Sequence, residues 1–305
     1  MSYRVWFITG GKYGPEAAAL MKSIHLDGVE TMVVNAADVS FVIDSLEKTP
    51  AMWHKGERIL PPDIFYIGDV ENPFAIPLAR YLESIGVPSL NSLNSYQMAA
   101  DKLWSYQLLA AKGLPIPKTV IVTSELSADL AIEKLGIPVV LKPNDGSQGI
   151  GVELIESKED LIQKLAEVSA SGKMYVLQEY IATSRGRDIR VNVIDGKAMV
   201  AIERKSGKAD EFRSNLHLGG SATEVTITPE MAKISERAAQ AADLQVAGID
   251  LMYGKDGYVI AEINGTPGVP YDLPEVLKKM LAGTMNVMKK KLMGAPVPAW
   301  KKNND

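Results

Sequence analysis

Short, uninterrupted apolar runs rich in β-branched and aromatic residues set the rhythm of the first third of the chain, each followed by a Gly, Pro or Asn signal and a helical stretch. That rhythm marks buried strands of an α/β layer. Val5 to Ile8 leads through Gly10-Gly11-Lys12-Tyr13-Gly14-Pro15 into helix-like Glu16 to Ile24, and Thr31 to Val34 and Asp63 to Ile67 read as two further strands. With a helix over Phe74 to Ser84 and the closing stretch Val87-Pro88-Ser89-Leu90-Asn91, residues 1 to 91 are expected to form a small open α/β domain. The Gly10-Gly11-x-x-Gly14 segment lacks G-x-G-x-x-G spacing and reads as a tight turn rather than a phosphate cradle.

From Asn94 the apolar positions Met98, Leu103, Leu108 and Leu109 predict one long helix, ended by Gly113 and Pro115-x-Pro117, which we take as the domain junction. A strand (Thr119 to Val122), a helix (Glu125 to Leu135) and a strand (Pro138 to Lys142) lead into the polar, Gly-rich Asn144-Asp145-Gly146-Ser147-Gln148-Gly149-Ile150-Gly151-Val152. Ser157-x-x-Asp160 opens a helix through about Ser169, and Met174 to Tyr180 is the next strand.

Two hairpins then place side chains. Asp195-Gly196 is a strong two-residue turn signal, and it sets Asp188 opposite Glu203 with Arg190 and Asn192 on the same polar face, against Ala201 and Met199. The other face is Ile189, Val191 and Val193 against Ala198, Val200 and Ile202. A face with two carboxylates and an Arg is either solvated surface or the wall of a site; Arg190 and Arg204 would suit a substrate carboxylate. In the second hairpin, a three-residue loop over Lys255-Asp256-Gly257 sets Asp250 opposite Glu262, with Asn264 one same-face step beyond. Opposed carboxylates repel unless a cation lies between them, and oxygen-only ligands select Mg²⁺ or Mn²⁺ over zinc.

Composition narrows the chemistry. In 305 residues there is no Cys, which excludes disulfides, a thiolate nucleophile, iron–sulfur clusters and Cys-bound zinc. The three histidines, His25, His54 and His217, are too scattered to suggest a His-built metal site. A net charge of −4 without a basic half makes nucleic acid an unexpected partner. The apolar run near the N-terminus is too short for a signal segment, and no stretch approaches the ~20 apolar residues of a membrane span, so we expect a cytoplasmic protein. Lys289 to Lys291 read as a solvated helix end, and the methionines from Met280 to Met293 as the apolar side of a terminal helix.

An Mg²⁺ carboxylate site beside a Gly-rich loop suggests a nucleotide polyphosphate, yet the loop has no Gly-Lys-Ser/Thr and is not a P-loop. In its order of Val139-Val140-Leu141-Lys142-Pro143, the Gly loop, Val176 to Ile181, Asp188-Ile189-Arg190, Glu203-Arg204, Gly248-Ile249-Asp250 and Glu262-Ile263-Asn264, the chain resembles the ATP-grasp superfamily. More narrowly it resembles the RimK-type glutamate ligases in Ser147 to Val152, Gln178 to Ile181, Ala201 to Arg204 and Phe212 to His217. The resemblance implies an α/β (α+β) ATP-grasp fold behind an N-terminal open α/β domain: residues 1–91, then 92–305 with a lid over about 115–180 and a metal-binding part from 181.

It also implies roles. Lys102 and Lys142 would hold ATP phosphates under the loop of Gly146, Ser147, Gly149 and Gly151. Glu179 and Tyr180 would form the adenine-reading hinge, with Gln178 of the same run also binding the nucleotide; Asp188 would lie near the ribose, and Arg213 and Asn215 beside the triphosphate. Asp250, Glu262 and Asn264 would bind magnesium or manganese, with two ions expected. The implied reaction is ATP-driven ligation of a carboxylate to an amine, glutamate being the favoured addition to a peptide, protein C-terminus or small acceptor, by a homo-oligomer. An ATP-binding regulator and a small-molecule kinase are the rival expectations. The chain departs from the RimK-type pattern in Asn264-Gly265-Thr266-Pro267-Gly268-Val269-Pro270-Tyr271-Asp272-Leu273-Pro274, a segment placed to shape the acceptor pocket. His217 is left without a role.

Overall fold

The computed structural model describes residues 2–9, 27–44, 50–68, 72–122, 124, 127–146, 149–208, 211–214, 219–268 and 273–294. The Gly10–Gly14 turn, the helix read after it, Ser147, Asn215, His217 and residues 269–272 lie outside them.

β1 (Tyr3–Thr9) runs parallel to β2 (Val29–Asn35) on one side and β6 (Ile64–Ile67) on the other. Val5 through Ile8 are all buried whatever their parity, as a strand covered on both faces requires. A small antiparallel sheet, β3 (Val39–Phe41), β4 (Met52–His54) and β5 (Glu57–Ile59), was not legible, its three-residue strands being too short to show alternation. α1 (Ala75–Ser84) buries Ala75, Leu78, Ala79 and Leu82 at helical spacing.

The predicted long helix is two: α2 (Leu93–Ala100) and α3 (Lys102–Ala111). Asp101 breaks it with extended backbone (φ −94°, ψ 105°), ending the first helix and capping the second by accepting from the Trp104 amide at 2.9 Å. The break turns Lys102 and Leu103 toward Asn144, whose carbonyl accepts from the Lys102 amide (3.3 Å) and whose Oδ1 accepts from the Leu103 amide (2.8 Å).

Beyond this junction stands a four-stranded antiparallel sheet, β7 (Thr119–Val122), β10 (Tyr175–Glu179), β8 (Val139–Pro143) and β9 (Glu153–Ile155) in spatial order. It carries α4 (Ala128–Leu135) and α5 (Lys158–Ser171) over a core that includes Leu141, Leu161, Leu165 and Leu177. α5 starts where the capping pattern placed it: Ser157 Oγ accepts from the Asp160 amide at 3.1 Å.

The central sheet is antiparallel in the order β13 (Ser221–Val225), β12 (Lys197–Lys205), β11 (Arg187–Ile194), β14 (Val246–Gly254), β15 (Gly257–Asn264). One face, with Ile189, Val191, Ile249 and Leu251, packs on α6 (Pro229–Ala241), a helix capped by Thr228 and absent from the sequence reading. The opposite face presents Ile194, Val200, Ile202 and Val246 to a core shared with the parallel sheet and α7 (Pro274–Gly294). Met280, Met285 and Met288 of α7 are buried there, as expected, whereas Met293, read on the same apolar side, is exposed near the end of the helix. The lysines that follow are not simply solvated. Lys289 donates to the Asp27 carbonyl (3.0 Å), Lys290 pairs with Asp195 (2.7 Å), and half-buried Lys291 donates to the carbonyls of Ser89 (2.8 Å) and Leu90 (3.1 Å). No helix among the described residues is long and apolar enough to cross a membrane.

Candidate active site

The first hairpin turns at Asp195-Gly196 as read, both residues having positive φ (51° and 73°). Its register differs from expectation. Val193 pairs with Ala198, but Asn192 pairs with Val200, so Met199 is an unpaired bulge residue and every later pairing moves by one. Asp188 therefore lies opposite Arg204, not Glu203. Glu203 turns to the other face, where it accepts from Tyr253 Oη (2.6 Å) and pairs with Lys205 (2.6 Å). Arg190 faces Ile202 rather than Ala201, and Val200 and Ile202 join the face of Asp188, Arg190 and Asn192. α7 packs against the bulge: a Cβ built on Gly283 would come within 3.1 Å of Met199 Sδ and of Ile194 Cδ1.

The second hairpin reaches the expected pairing by another route. Gly254 pairs with Gly257 across a two-residue turn, which would set Asp250 against Ala261; a bulge at Ala261 restores Asp250 opposite Glu262 and Gly248 opposite Asn264. The Ala261 carbonyl freed there accepts from Tyr106 Oη of α3 at 2.7 Å. Tyr106, which the sequence reading missed, is held protonated by burial and then by the charge of Glu262, both of which raise its pKa.

Five charged side chains and an amide thus converge on one face. Arg190 grips Asp250 through Nε (2.7 Å) and Nη2 (2.8 Å); Arg204 grips Asp188 through Nε (2.7 Å) and Nη2 (2.5 Å), its Nη2 also standing 2.9 Å from Asp250 Oδ2. Ser214 Oγ donates to Asp188 Oδ2 at 2.5 Å. Burial by itself would raise the pKa of Asp250, yet the two guanidinium groups hold it down at about 2. Glu262 faces Lys102 Nζ at 3.6 Å, and Asn264 Nδ2 lies 3.4 Å from Asp250 Oδ2. The compensation that the sequence reading assigned to a metal between Asp250 and Glu262 is supplied here by Arg190, Arg204 and Lys102. Among the described residues no group of three or more His, Cys, Asp or Glu side chains is arranged to hold a metal. The oxygen donors available to a hard cation are Asp250, Glu262 and, with its amide turned over, Asn264.

The four-stranded sheet of β7, β10, β8 and β9 brings further side chains to this floor. Lys142 Nζ donates to Gln178 Oε1 (2.6 Å), and Gln178 Nε2 donates to Thr119 Oγ1 (2.9 Å), so the glutamine orients the lysine. Burial pulls the Lys142 ammonium down to about 8, Glu262 opposing and Lys102 adding to the effect. Lys102 Nζ donates to the Gly146 carbonyl at 2.8 Å, tying the junction helix to the Gly loop. Arg213 Nη1 donates to the Gly149 carbonyl (2.9 Å) while its fork holds Glu211, whose pKa it lowers to about 2. Gly151 has φ +73°, and a Cβ there would come 3.1 Å from Pro143 Cγ, so the loop folds back on its own strand. Glu179 and Tyr180 stand apart from the ionic floor. Glu179 Oε1 accepts from the Lys118 amide (2.8 Å), and Tyr180 meets Phe212 edge to face with ring centroids 6.4 Å apart. Ser214 and Asn144 were also missed; Ser214 lies in the Phe212-to-His217 run, and Asn144 opens the loop, so each carried a signal of position only.

Residues 99–279 match the RimK-like ATP-grasp domain family. A protein of Mannheimia succiniciproducens called a probable alpha-L-glutamate ligase is 38% identical over 220 residues, which is 71% of this chain and 73% of that protein. The solved structure of the ATP-grasp ligase PsnB, complexed with minimal precursor, Mg and ADP, is similar with a TM-score of 0.69 at 17% identity, covering 93% of this chain and 96% of PsnB. D-alanine–D-alanine ligase from Bacillus anthracis, complexed with ATP, gives 0.64 at 19% identity over 99% of this chain and 100% of that one. These two structural likenesses speak to the fold.

Proposed function

Because the chain belongs to the RimK-like ATP-grasp family and is an ATP-dependent ligase, we propose that it joins a substrate carboxylate to an amine through an acyl phosphate, adding an amino acid, glutamate foremost, to a peptide, a protein C-terminus or a small acceptor. The observation that carries this reading is the approach of two lysines from different elements, Lys142 of the lid and Lys102 of the junction helix, to the carboxylate floor at Glu262. A polyanion entering between lid and floor meets cations above and oxygen ligands below.

The residues fit magnesium or manganese, and we propose two ions held by Asp250, Glu262 and Asn264, since all three are hard oxygen ligands on one face and Glu262 is engaged only loosely by Lys102. Such a cation would neutralise the triphosphate oxygens. Lys102, Lys142 and Arg213 add fixed positive charge where charge moves during phosphoryl transfer. The γ-phosphoryl group passes to the carboxylate, releasing ADP; the amine nitrogen attacks the acyl carbon, phosphate leaves, and the amine gives up a proton. Arg190 and Arg204 keep Asp250 and Asp188 oriented throughout, the Gly146–Gly151 loop shields the acyl phosphate from water, and Gln178, Glu179 and Tyr180 border the adenine. Asn215 and Ser147 complete the proposed phosphate contacts. We propose domain limits of 1–91 and 92–305, with a lid over about 115–180; the separate core of that last region supports the lid alone. We place the enzyme in the cytoplasm as a homo-oligomer.

Incubation with ATP, Mg²⁺ and a panel of amino acids and short peptides, with ADP and phosphate quantified and the product weighed by mass spectrometry, tests the reaction. ADP and phosphate in equal amounts with an amide product are expected. A phosphorylated product without free phosphate would make the protein a kinase, and no turnover with any member would make it a regulator.

A further inference from the structure

Along β11 the side chains of Asp188, Arg190, Asn192 and Ile194 share one face, and its character changes midway. Asp188 and Arg190 belong to the ionic floor, whereas Ile194 lies in the apolar core under α7. Asn192 stands on the border, paired with Val200 on one side and with Gly248 on the other. It is 0% exposed, and among the described residues neither its Nδ2 nor its Oδ1 has a hydrogen-bond partner. A buried carboxamide left with both ends unmet is costly, and a Val or Leu would fill a central strand without that cost. The same fold satisfies a structural asparagine fully. Asn91, also 0% exposed, donates to the carbonyls of Val246 (2.7 Å) and Gly265 (3.0 Å) and accepts from the amides of Gln245 (2.8 Å) and Val246 (3.0 Å).

The surroundings say what the amide could meet. Opposite Asn192, a Cβ built on Gly248 would come 2.7 Å from Pro267 Cβ and 3.5 Å from Arg190 Cδ, so this row borders both the floor and the segment that follows Asn264. On this face Arg190 and Arg204 are already paired with Asp250 and Asp188. A free carboxamide complements a neutral group with a donor and an acceptor side by side.

We propose that Asn192 is a specificity-determining residue that pairs with a neutral amide of the non-nucleotide substrate, a carboxamide or a backbone peptide unit. The inference rests on the ligase reading above. The test compares wild type, N192L and N192D by ADP release and product mass over a fixed panel of probes: the twenty amino acids, and dipeptides and tripeptides ending in glutamate. The best wild-type substrate or acceptor should carry an amide. N192L should raise the KM for that amide compound by about tenfold while leaving kcat and the KM for ATP within about twofold, and it should raise Tm by removing two unmet polar atoms. N192D keeps the shape but loses the donor; it should show the same KM effect and serves if N192L fails to fold. A higher Tm with unchanged KM in N192L, or unchanged KM in N192D, would overturn the proposal and leave Asn192 a structural residue. A best substrate without any amide would overturn the assigned class. If no probe yields ADP with the wild type, the ligase reading itself fails and this inference falls with it.

Discussion

Toward α7, the upper face of the central sheet presents Ile194, Val200, Ile202 and Val246 and is closed by apolar side chains; toward the lid, the same strands present Asp188, Arg190, Arg204, Asp250 and Glu262, all charged and paired. The first half gains stability from area removed from water and needs no particular direction. The second half loses hydration on burial and recovers it only through bidentate geometry, so it is a poor way to stabilise a sheet. Stability and chemistry are thus divided along the length of β11 and β12, with Asn192 and Gly248 on the dividing line.

Glu262→Ala attacks the ionic half where it meets the lid. ADP formation should fall by about a thousandfold, near 4 kcal/mol in the barrier, while the thermal midpoint stays close to wild type. Turnover at the wild-type rate would remove Glu262 from the site. Ile202→Ala attacks the apolar half: denaturant melting should show a loss of about 3 kcal/mol, with kcat/KM preserved under conditions where the variant remains folded. If activity falls while stability holds, the division between the halves is wrong.

Asn91→Ala should blur the comparison, because Asn91 links the parallel sheet's unit to the strand start at Val246 and to Gly265, which follows Asn264. We expect a loss of about 2 kcal/mol together with weaker turnover, since two backbone carbonyls and two amides lose their partner. Calorimetry and ADP release on the same preparation check both parts; a stability loss alone would confine Asn91 to the core. The smallest effect is set by pH. With the Lys142 ammonium at about 8 in the free enzyme, its charge is present below that value and lost as pH rises through it. The kcat/KM for ATP should therefore fall by about tenfold per pH unit above 8, about 1.4 kcal/mol per unit, and Lys142→Arg should abolish that limb. An unchanged alkaline limb in the arginine variant would assign the titration to another group.

The two hairpins show how far local pattern reaches. Both were legible as hairpins, and Asp250 opposite Glu262 was found, though through a turn one residue too long and without the bulge at Ala261 that compensates. In the first hairpin the turn was right and the register wrong, because nothing local announces a bulge at Met199. Each bulge is met from a distance, Ala261 by Tyr106 of α3 and Met199 by Gly283 of α7. The single helix read from apolar spacing failed at Asp101, where a cap and the contacts to Asn144 outweigh helical periodicity.

The sequence by itself determined the order of the strands that carry the site, β8, β10, β11, β12, β14 and β15, the hairpin turn at Asp195-Gly196, and, through runs such as Gln178 to Ile181 and Ala201 to Arg204, the family. Those features depend on apolar runs, turn residues and short motifs, all of which act within a few positions of each other. Tertiary structure alone decided that Arg204 bridges Asp188 and Asp250, that Lys102 reaches Gly146 and Glu262, and that Asn91 is satisfied where Asn192 is not. A one-residue change of register exchanges the faces of a strand, and that register is set by elements packed from elsewhere in the chain, so charge pairing across the sheet cannot be read before the chain has closed on itself.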